Sequence, residues 1–200
     1  MKKVYTLLLL ILIILLSCAP LKKEQSCTSH FEKVKFLSQQ NKNYFIRGNI
    51  FSHGIYFVFY GDLGERTFIT VRSPFGRKLF SISYKNGEIC LFLPDKPEKC
   101  GKDLDMYWDY LNIKTPFDLK NLLTGKFHIS KNADYYCENK SLIVKYSRMQ
   151  IFYEGLKIKK VNFKNFSAYY YYEDGKIEKI VIKENGKEIF RIYVRELREV

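Results

Sequence analysis

The chain has 200 residues, 46% of them apolar and 28% charged, which suits one domain with a substantial core and excludes a disordered or low-complexity chain. Sixteen Tyr and sixteen Phe against one Trp and three Met, together with many Ile and Val, suit strands better than helices and predict a mainly β protein. Lys and Arg number 34 against 21 Asp and Glu, a net charge of +13, so the surface attracts anions: phospholipid headgroups, nucleic acid or acidic proteins.

The chain opens with Lys2 and Lys3, continues through an uncharged run from Thr6 to Leu16, and reaches Leu15-Leu16-Ser17-Cys18. A basic start, an apolar stretch and a small residue predict a secretory signal peptide over residues 1–17. The run is about 16 Å long as a helix, against a bilayer core of about 30 Å, too short for a permanent span. Cys after Leu-Leu-Ser resembles the bacterial lipobox, in which cleavage precedes the Cys and that residue is diacylglycerylated and N-acylated; Cys18 is then the lipidated first residue. A plain cleaved signal with an incidental Cys is the other reading. Losing the signal removes two lysines and leaves 32 basic against 21 acidic residues, +11, so the basic character belongs to the mature chain. Ala19 rather than Asp follows the Cys, which in the lipoproteins this resembles favours the outer membrane. Residues 18–27 read as lipidated N-terminus and tether, and 28–200 as the domain.

Phe31, Val34 and Leu37 stand at helical spacing and predict an amphipathic helix over Ser29 to Asn41. A meander follows: Tyr44 to Phe51, Ile55 to Tyr60, Thr67 to Ser73, Lys78 to Tyr84 and Ile89 to Leu93. Ser52-His53-Gly54, Gly61-Asp62-Leu63-Gly64, Ser73-Pro74-Phe75-Gly76 and Asn86-Gly87 supply the turn chemistry between them. Phe80, Ile82 and Tyr84 alternate onto one face, as do Ile89, Leu91 and Leu93. Ile55 to Tyr60 is apolar on both faces, so that strand is covered twice or lines a cavity as well as a core. Leu104, Tyr107, Trp108 and Leu111 predict a second helix. A third has Thr115 as N-cap, Pro116 at its first position, Leu119, Leu122 and Leu123 on its apolar side and Gly125 as its stop. Strands resume at Ser141 to Ser147, Gln150 to Tyr153, Lys157 to Phe163, Ser167 to Glu173, Ile177 to Lys183 and Glu188 to Arg195, with Asp174-Gly175 and Asn185-Gly186 as hairpin turns. The total is about eleven strands and three helices.

Cys27, Cys90, Cys100 and Cys137 remain in a compartment that permits disulfides, with three pairings open. Cys90 sits in a strand and Cys100 just past the Pro94-Asp95-Lys96-Pro97 turn, so a short closure between them is plausible and leaves Cys27 for Cys137. Such bridges contribute about 2 to 3 kcal/mol; free structural thiols are the alternative. Zinc is disfavoured because no Cys-x-x-Cys spacing occurs, and only His30 stands near a cysteine, Cys27.

Chemistry-bearing motifs are sparse. His30, His53 and His128 have no nucleophile partner pattern. No phosphate-binding Gly-rich loop, nucleophile elbow or His-Glu-x-x-His motif occurs, and Asp103 with Asp105 reads as helix-start charge. We therefore expect neither an enzyme nor a cofactor nor a metal site. Tyr169 to Tyr172 with neighbouring lysines has the composition that stacks nucleic-acid bases, but export argues against a nucleic-acid partner.

Helix, meander, Ser-Pro-Phe-Gly hairpin, a helix pair carrying Leu111-Asn112-Ile113-Lys114-Thr115-Pro116, and a closing meander: from Phe31 to Leu197 this order resembles the LolB family of outer-membrane lipoprotein receptors, within the LolA/LolB-like lipoprotein-localisation group. Ser73-Pro74-Phe75-Gly76 is similar to that family's Asn/Gly-Pro-Leu-Gly turn, and Pro116 to Gly125 to its proline-started helix ending in Gly. The Tyr run, the extra cysteines and the basicity depart from it. The resemblance implies an incomplete antiparallel β-barrel with helices lidding a hydrophobic cavity. It also implies a monomer on the periplasmic face of the outer membrane that takes acylated lipoproteins from a LolA-like periplasmic carrier. The acyl chains of the cargo would enter the cavity, for which Phe57, Phe59, Phe80, Ile82, Ile89, Leu91, Phe190 and Ile192 are the lining candidates; an ordinary sandwich core is the plainer reading of the same residues. Pro74, Phe75 and Gly76 would form a membrane-insertion loop into outer-membrane phospholipid, with Arg72, Arg77 and Lys78 beside it. A structural or adaptor lipoprotein with a filled core, or a half-barrel for another lipid cargo, are the alternatives.

Overall fold

A computed structural model of the chain describes residues 21–52, 54–85, 88–102, 118–146 and 148–200. The signal peptide, Cys18, the Leu104 to Leu111 helix, Thr115 and Pro116, His53, Asp103, Asp105 and the Asn86-Gly87 turn lie outside the described residues. The elements are helix α1 (Leu21–Gln39); strands β1 (Tyr44–Ser52), β2 (Ile55–Leu63), β3 (Thr67–Arg72), β4 (Lys78–Lys85), β5 (Glu88–Phe92) and β6 (Lys99–Gly101); helix α2 (Leu119–Thr124); then β7 (Asp134–Glu138), β8 (Ser141–Tyr146), β9 (Met149–Glu154), β10 (Lys157–Phe163), β11 (Phe166–Glu173), β12 (Lys176–Glu184) and β13 (Lys187–Glu199). Among the described residues no helix is long and apolar enough to cross a membrane.

All thirteen strands form one antiparallel sheet in the order β6-β5-β4-β3-β2-β1-β13-β12-β11-β10-β9-β8-β7. Two meanders are thus sewn together where β1 pairs with β13, Tyr44 opposite Glu199 and Ile50 opposite Ile192. The outermost strands, β6 and β7, are consecutive in sequence yet stand at opposite edges, so the sheet is open rather than a closed barrel.

Register sorts the side chains. The ladder Ile46, Gly61, Ile69, Ile82, Leu91 runs across β1 to β5 on one face, and Val144, Ile151, Val161, Ala168, Ile182, Phe190 runs across β8 to β13. Phe31 and Val34 of α1 and Leu122 and Leu123 of α2 join this face in one core, along with Phe127 and Ile129. The helices therefore cover one side of the sheet, as period-2 strands and a period-3.6 apolar stripe require.

Turn chemistry holds where both loop residues tolerate positive φ: Asp174 and Gly175 at 47° and 81°, and Asn185 and Gly186 at 48° and 81°, the left-handed pairs that tight hairpins need. Gly61, expected in a turn, lies instead inside β2. A Cβ there would stand 1.9 Å from the Phe68 carbonyl oxygen, so only glycine lets β3 approach, and the turn moves to residues 64–66. Two strands exceed the expected eleven, β6 and β7. The first helix starts at Leu21, eight residues before the expected Ser29, and takes in the segment read as a tether. The N-cap of α2 is Asp118, whose carboxylate accepts the Asn121 N–H at 2.9 Å, rather than Thr115; Gly125, φ 64°, ends the helix as expected.

Cys27 is bonded to Cys137 and Cys90 to Cys100. The first bridge ties α1 to edge strand β7, where Phe31 also stacks on Tyr135 with ring centroids 3.9 Å apart. The second joins β5 to edge strand β6, in which the two cysteines stand directly opposite one another. Both exposed edges, which invite pairing with other chains, are thus either short or fastened down.

Candidate functional site

The eight lining candidates share the helix-covered face. Phe59, Phe190 and Ile192 belong to the main core with Phe57 and Phe80 packed against it, while Ile89 and Leu91 form a second small cluster with Phe80 and Ile82. Phe59 and Leu91 are each 1% exposed. None of the eight lines the groove that the structure opens beneath the helices.

That groove, about 330 Å³, lies at the other end of the same face. Val34 and Leu37 of α1, Tyr153 and Ile158 of the β9–β10 hairpin, and Tyr172 and Ile177 of the β11–β12 hairpin form its walls. Helix α1 is held over it by the Cys27–Cys137 bridge and by the His30 imidazole, whose Nε2–H donates to the Gly155 carbonyl at the β9–β10 tip. Helix α2 is held by the buried Tyr170 hydroxyl, which donates to the Leu122 carbonyl at 2.9 Å. A short helix stopped by Gly125 is required here: a side chain at that position would meet Ile177 at 3.1 Å.

The walls carry no charge. Burial pushes the Tyr172 phenol up to about 12 and raises that of Tyr153 as well, so both stay protonated at physiological pH. The rim is different. Lys157 and Lys176 stand around it, beside Leu156, which is 54% exposed, and the half-buried Lys126 closes the α2 side. The aromatic run is divided by the strand: Tyr170 and Tyr172 turn inward, while Tyr169 lies outside under Lys160 and Lys183, at 5.1 and 5.2 Å, and Tyr171 under Lys179 at 4.2 Å.

At the opposite end of the sheet stands the β3–β4 hairpin. The Gly76 N–H donates to the Ser73 carbonyl and the Ser73 N–H to the Arg77 carbonyl, both at 2.9 Å, and Gly76 takes φ 83°. This three-residue loop, a turn followed by a left-handed glycine, leaves Phe75 97% exposed at its tip. Arg77 and Lys78 are exposed beside it. Arg72, expected to face headgroups with them, is instead turned into the hairpin: it donates to the Gly76 carbonyl at 2.9 Å and to the Tyr60 hydroxyl at 3.0 Å. It stiffens the base of the loop.

Sequence reasoning named Leu37 and the Tyr run but missed Lys126, Tyr153, Ile158 and Ile177 as site residues. The available signal was positional: each sits within three residues of a turn glycine, Gly125, Gly155 or Gly175. Of potential metal ligands among the described residues, Cys90, Glu98 and Cys100 cluster within 4.8 Å. The disulfide takes both sulfurs and leaves one carboxylate, which cannot hold an ion alone.

No protein-family model matches the chain, and no curated protein matches its sequence. Among solved structures it is similar to a DUF1329 family protein from Desulfovibrio piger, at 10% identity over 88% of this chain and 93% of that one with a TM-score of 0.53. It is also similar to the LolA superfamily protein NE2245 from Nitrosomonas europaea, at 12% identity over 88% and 93% of the two chains with a TM-score of 0.48. The Pseudomonas aeruginosa MucA/MucB complex structure aligns at 11% identity over 87% of this chain and 57% of that one with a TM-score of 0.38. At these identities the likeness is one of fold, and the DUF1329 superposition is the one that carries it.

Proposed function

We propose that this chain is a lipid-binding envelope lipoprotein, anchored through Cys18 in the outer membrane, that receives acylated lipoproteins from a LolA-like periplasmic carrier and places them in the bilayer. The observation that carries the reading is the groove under α1 and α2, an aliphatic and aromatic slot edged by lysines on the lidded face of an open sheet. A sixteen-carbon chain exposed to water costs on the order of 12 kcal/mol at about 0.8 kcal/mol per methylene, so transfer from one protein to another needs such a shelter at the receiving end. No nucleotide is needed when the receiver holds the chain at least as well as the donor. The bare Phe75 ring on a stiff hairpin, with Arg77 and Lys78 beside it, supplies the release step by entering the membrane.

The test uses the full chain carrying Cys18→Ala. It is expected to take an acylated lipoprotein from a periplasmic carrier and deliver it to liposomes. Ile177→Trp, which fills the groove, is expected to abolish uptake. Phe75→Glu is expected to keep uptake and lose delivery at least tenfold. Uptake unchanged by Ile177→Trp removes the groove from the reading, and equal delivery by Phe75→Glu removes the loop.

A further inference from the structure

Beside the groove lies a second hollow of about 190 Å³, and Ser38, Thr124 and Lys126 line both. Polar side chains line the second hollow, where aliphatic and aromatic ones dominate the first. Lys42, Lys120, Lys126 and His128 line it, and among the described residues no Asp or Glu lines either space. Lys42 is held by Glu199 at 2.7 Å and Lys120 by the Asn41 side-chain oxygen at 2.9 Å. Lys126 stands half-buried at the junction itself. Its ammonium donates to the Tyr44 hydroxyl, a phenol where, among the described residues, no carboxylate stands.

An apolar slot opening onto a cationic pocket matches a ligand with a hydrocarbon tail and a negative head. We propose that the two hollows form one site for a single-chain anionic amphiphile, the acyl chain lying along Leu37, Tyr153, Ile158 and Ile177 and the carboxylate or phosphate head meeting Lys126. This rests on the reading of the groove as an acyl-chain shelter and names a second occupant for it, a free amphiphile distinct from lipoprotein cargo, whose glyceryl end carries no charge. The apolar space is at the low end of the roughly 300 to 1,000 Å³ that small-molecule sites span, which suits one chain. A charge-assisted hydrogen bond from a partly desolvated ammonium is among the stronger contacts available to an anion. A neutral head would leave that ammonium without a counter-charge, so the site discriminates by head as well as by tail.

The experiment measures binding to the delipidated full chain of three probes with the same sixteen-carbon chain, each below its micelle threshold: palmitate, palmitoyl lysophosphatidylglycerol and monopalmitoylglycerol. Inorganic phosphate alone is the fourth arm. Both anionic lipids are expected to bind about tenfold more tightly than the neutral one, and the tighter of the two identifies carboxylate or phosphate as the head. Lys126→Gln is expected to bring them down to the neutral lipid's affinity without changing the latter, and Lys126→Arg to restore the difference. Ile177→Trp is expected to abolish binding of all three. Equal affinity for the neutral and anionic lipids, or a preference that survives Lys126→Gln, overturns the head assignment while the groove stands. Saturation by phosphate with no gain from the chain also overturns it. No binding by any lipid overturns the groove reading as well.

Discussion

At one free edge of the sheet the three-residue strand β6 is fastened to its own hairpin partner by Cys90–Cys100; at the other, β7 is fastened to helix α1 by Cys27–Cys137. The first bridge spans 10 residues and the second 110. The short one closes a hairpin that its backbone ladder already defines. The long one ties the lid of the groove to the half of the sheet it covers, at a place reinforced by the Phe31–Tyr135 stack. One is local trim on an edge, and the other anchors the helix that forms one wall of the site.

Removing each bridge should therefore have different consequences. Cys27→Ala with Cys137→Ala is expected to cost about 4.7 kcal/mol, the chain-entropy value for a loop of about a hundred residues, read as a lower denaturation midpoint. Lipid binding should fall with it, because α1 supplies Val34 and Leu37 to the groove. Cys90→Ala with Cys100→Ala is expected to cost about 2.7 kcal/mol by the same relation and to leave lipid binding unchanged. Loss of binding in the second pair, or its retention in the first, would break the contrast between the edges. Asp118→Ala removes the cap of α2 and is expected to cost about 1 kcal/mol, loosening the other lid element without detaching it. The smallest effect is expected at the β3–β4 tip: Phe75→Ser should change stability by no more than about 0.5 kcal/mol, since the ring is almost wholly in solvent. A larger shift by chemical denaturation would mean that the ring packs against its own hairpin.

The strands that announced themselves were those whose side chains alternate in character. Phe80, Ile82, Ile89 and Leu91 pack together on one face of β4 and β5 while the small Ser81, itself buried, bonds Thr70 on the other, and the Asp174-Gly175 and Asn185-Gly186 turns are written in residues that accept left-handed backbone. Edge strands lack that contrast. Asp134 to Glu138 is almost wholly exposed, and Lys99 to Gly101 has no apolar residue to alternate apart from its bonded cysteine, so neither carried a pattern to find. The front of α1 was missed for a related reason: Lys22 to Ser26 offers no apolar stripe, so no periodicity marked it. At the site, Ile55 to Tyr60 is apolar on both faces, so alternation did not say which way Phe57 and Phe59 turn. Nor could it show which stretch of the lidded face the helices fill and which they leave open, because that depends on where α1 and α2 come to rest. The 21–39 helix rests against β7 and β8, and the open stretch consequently falls beside the β9–β10 and β11–β12 tips.

The pairing of β1 with β13 sets the timetable of folding. The strand that unites the two meanders follows every other strand in the chain, so each meander must wait, with one long edge bare, until Lys187 to Glu199 has emerged. Closing a contact across so much intervening chain is slow. For the exported chain proposed above, this delay would be protective: the two meanders would not join while part of the sheet was still on the wrong side of the membrane.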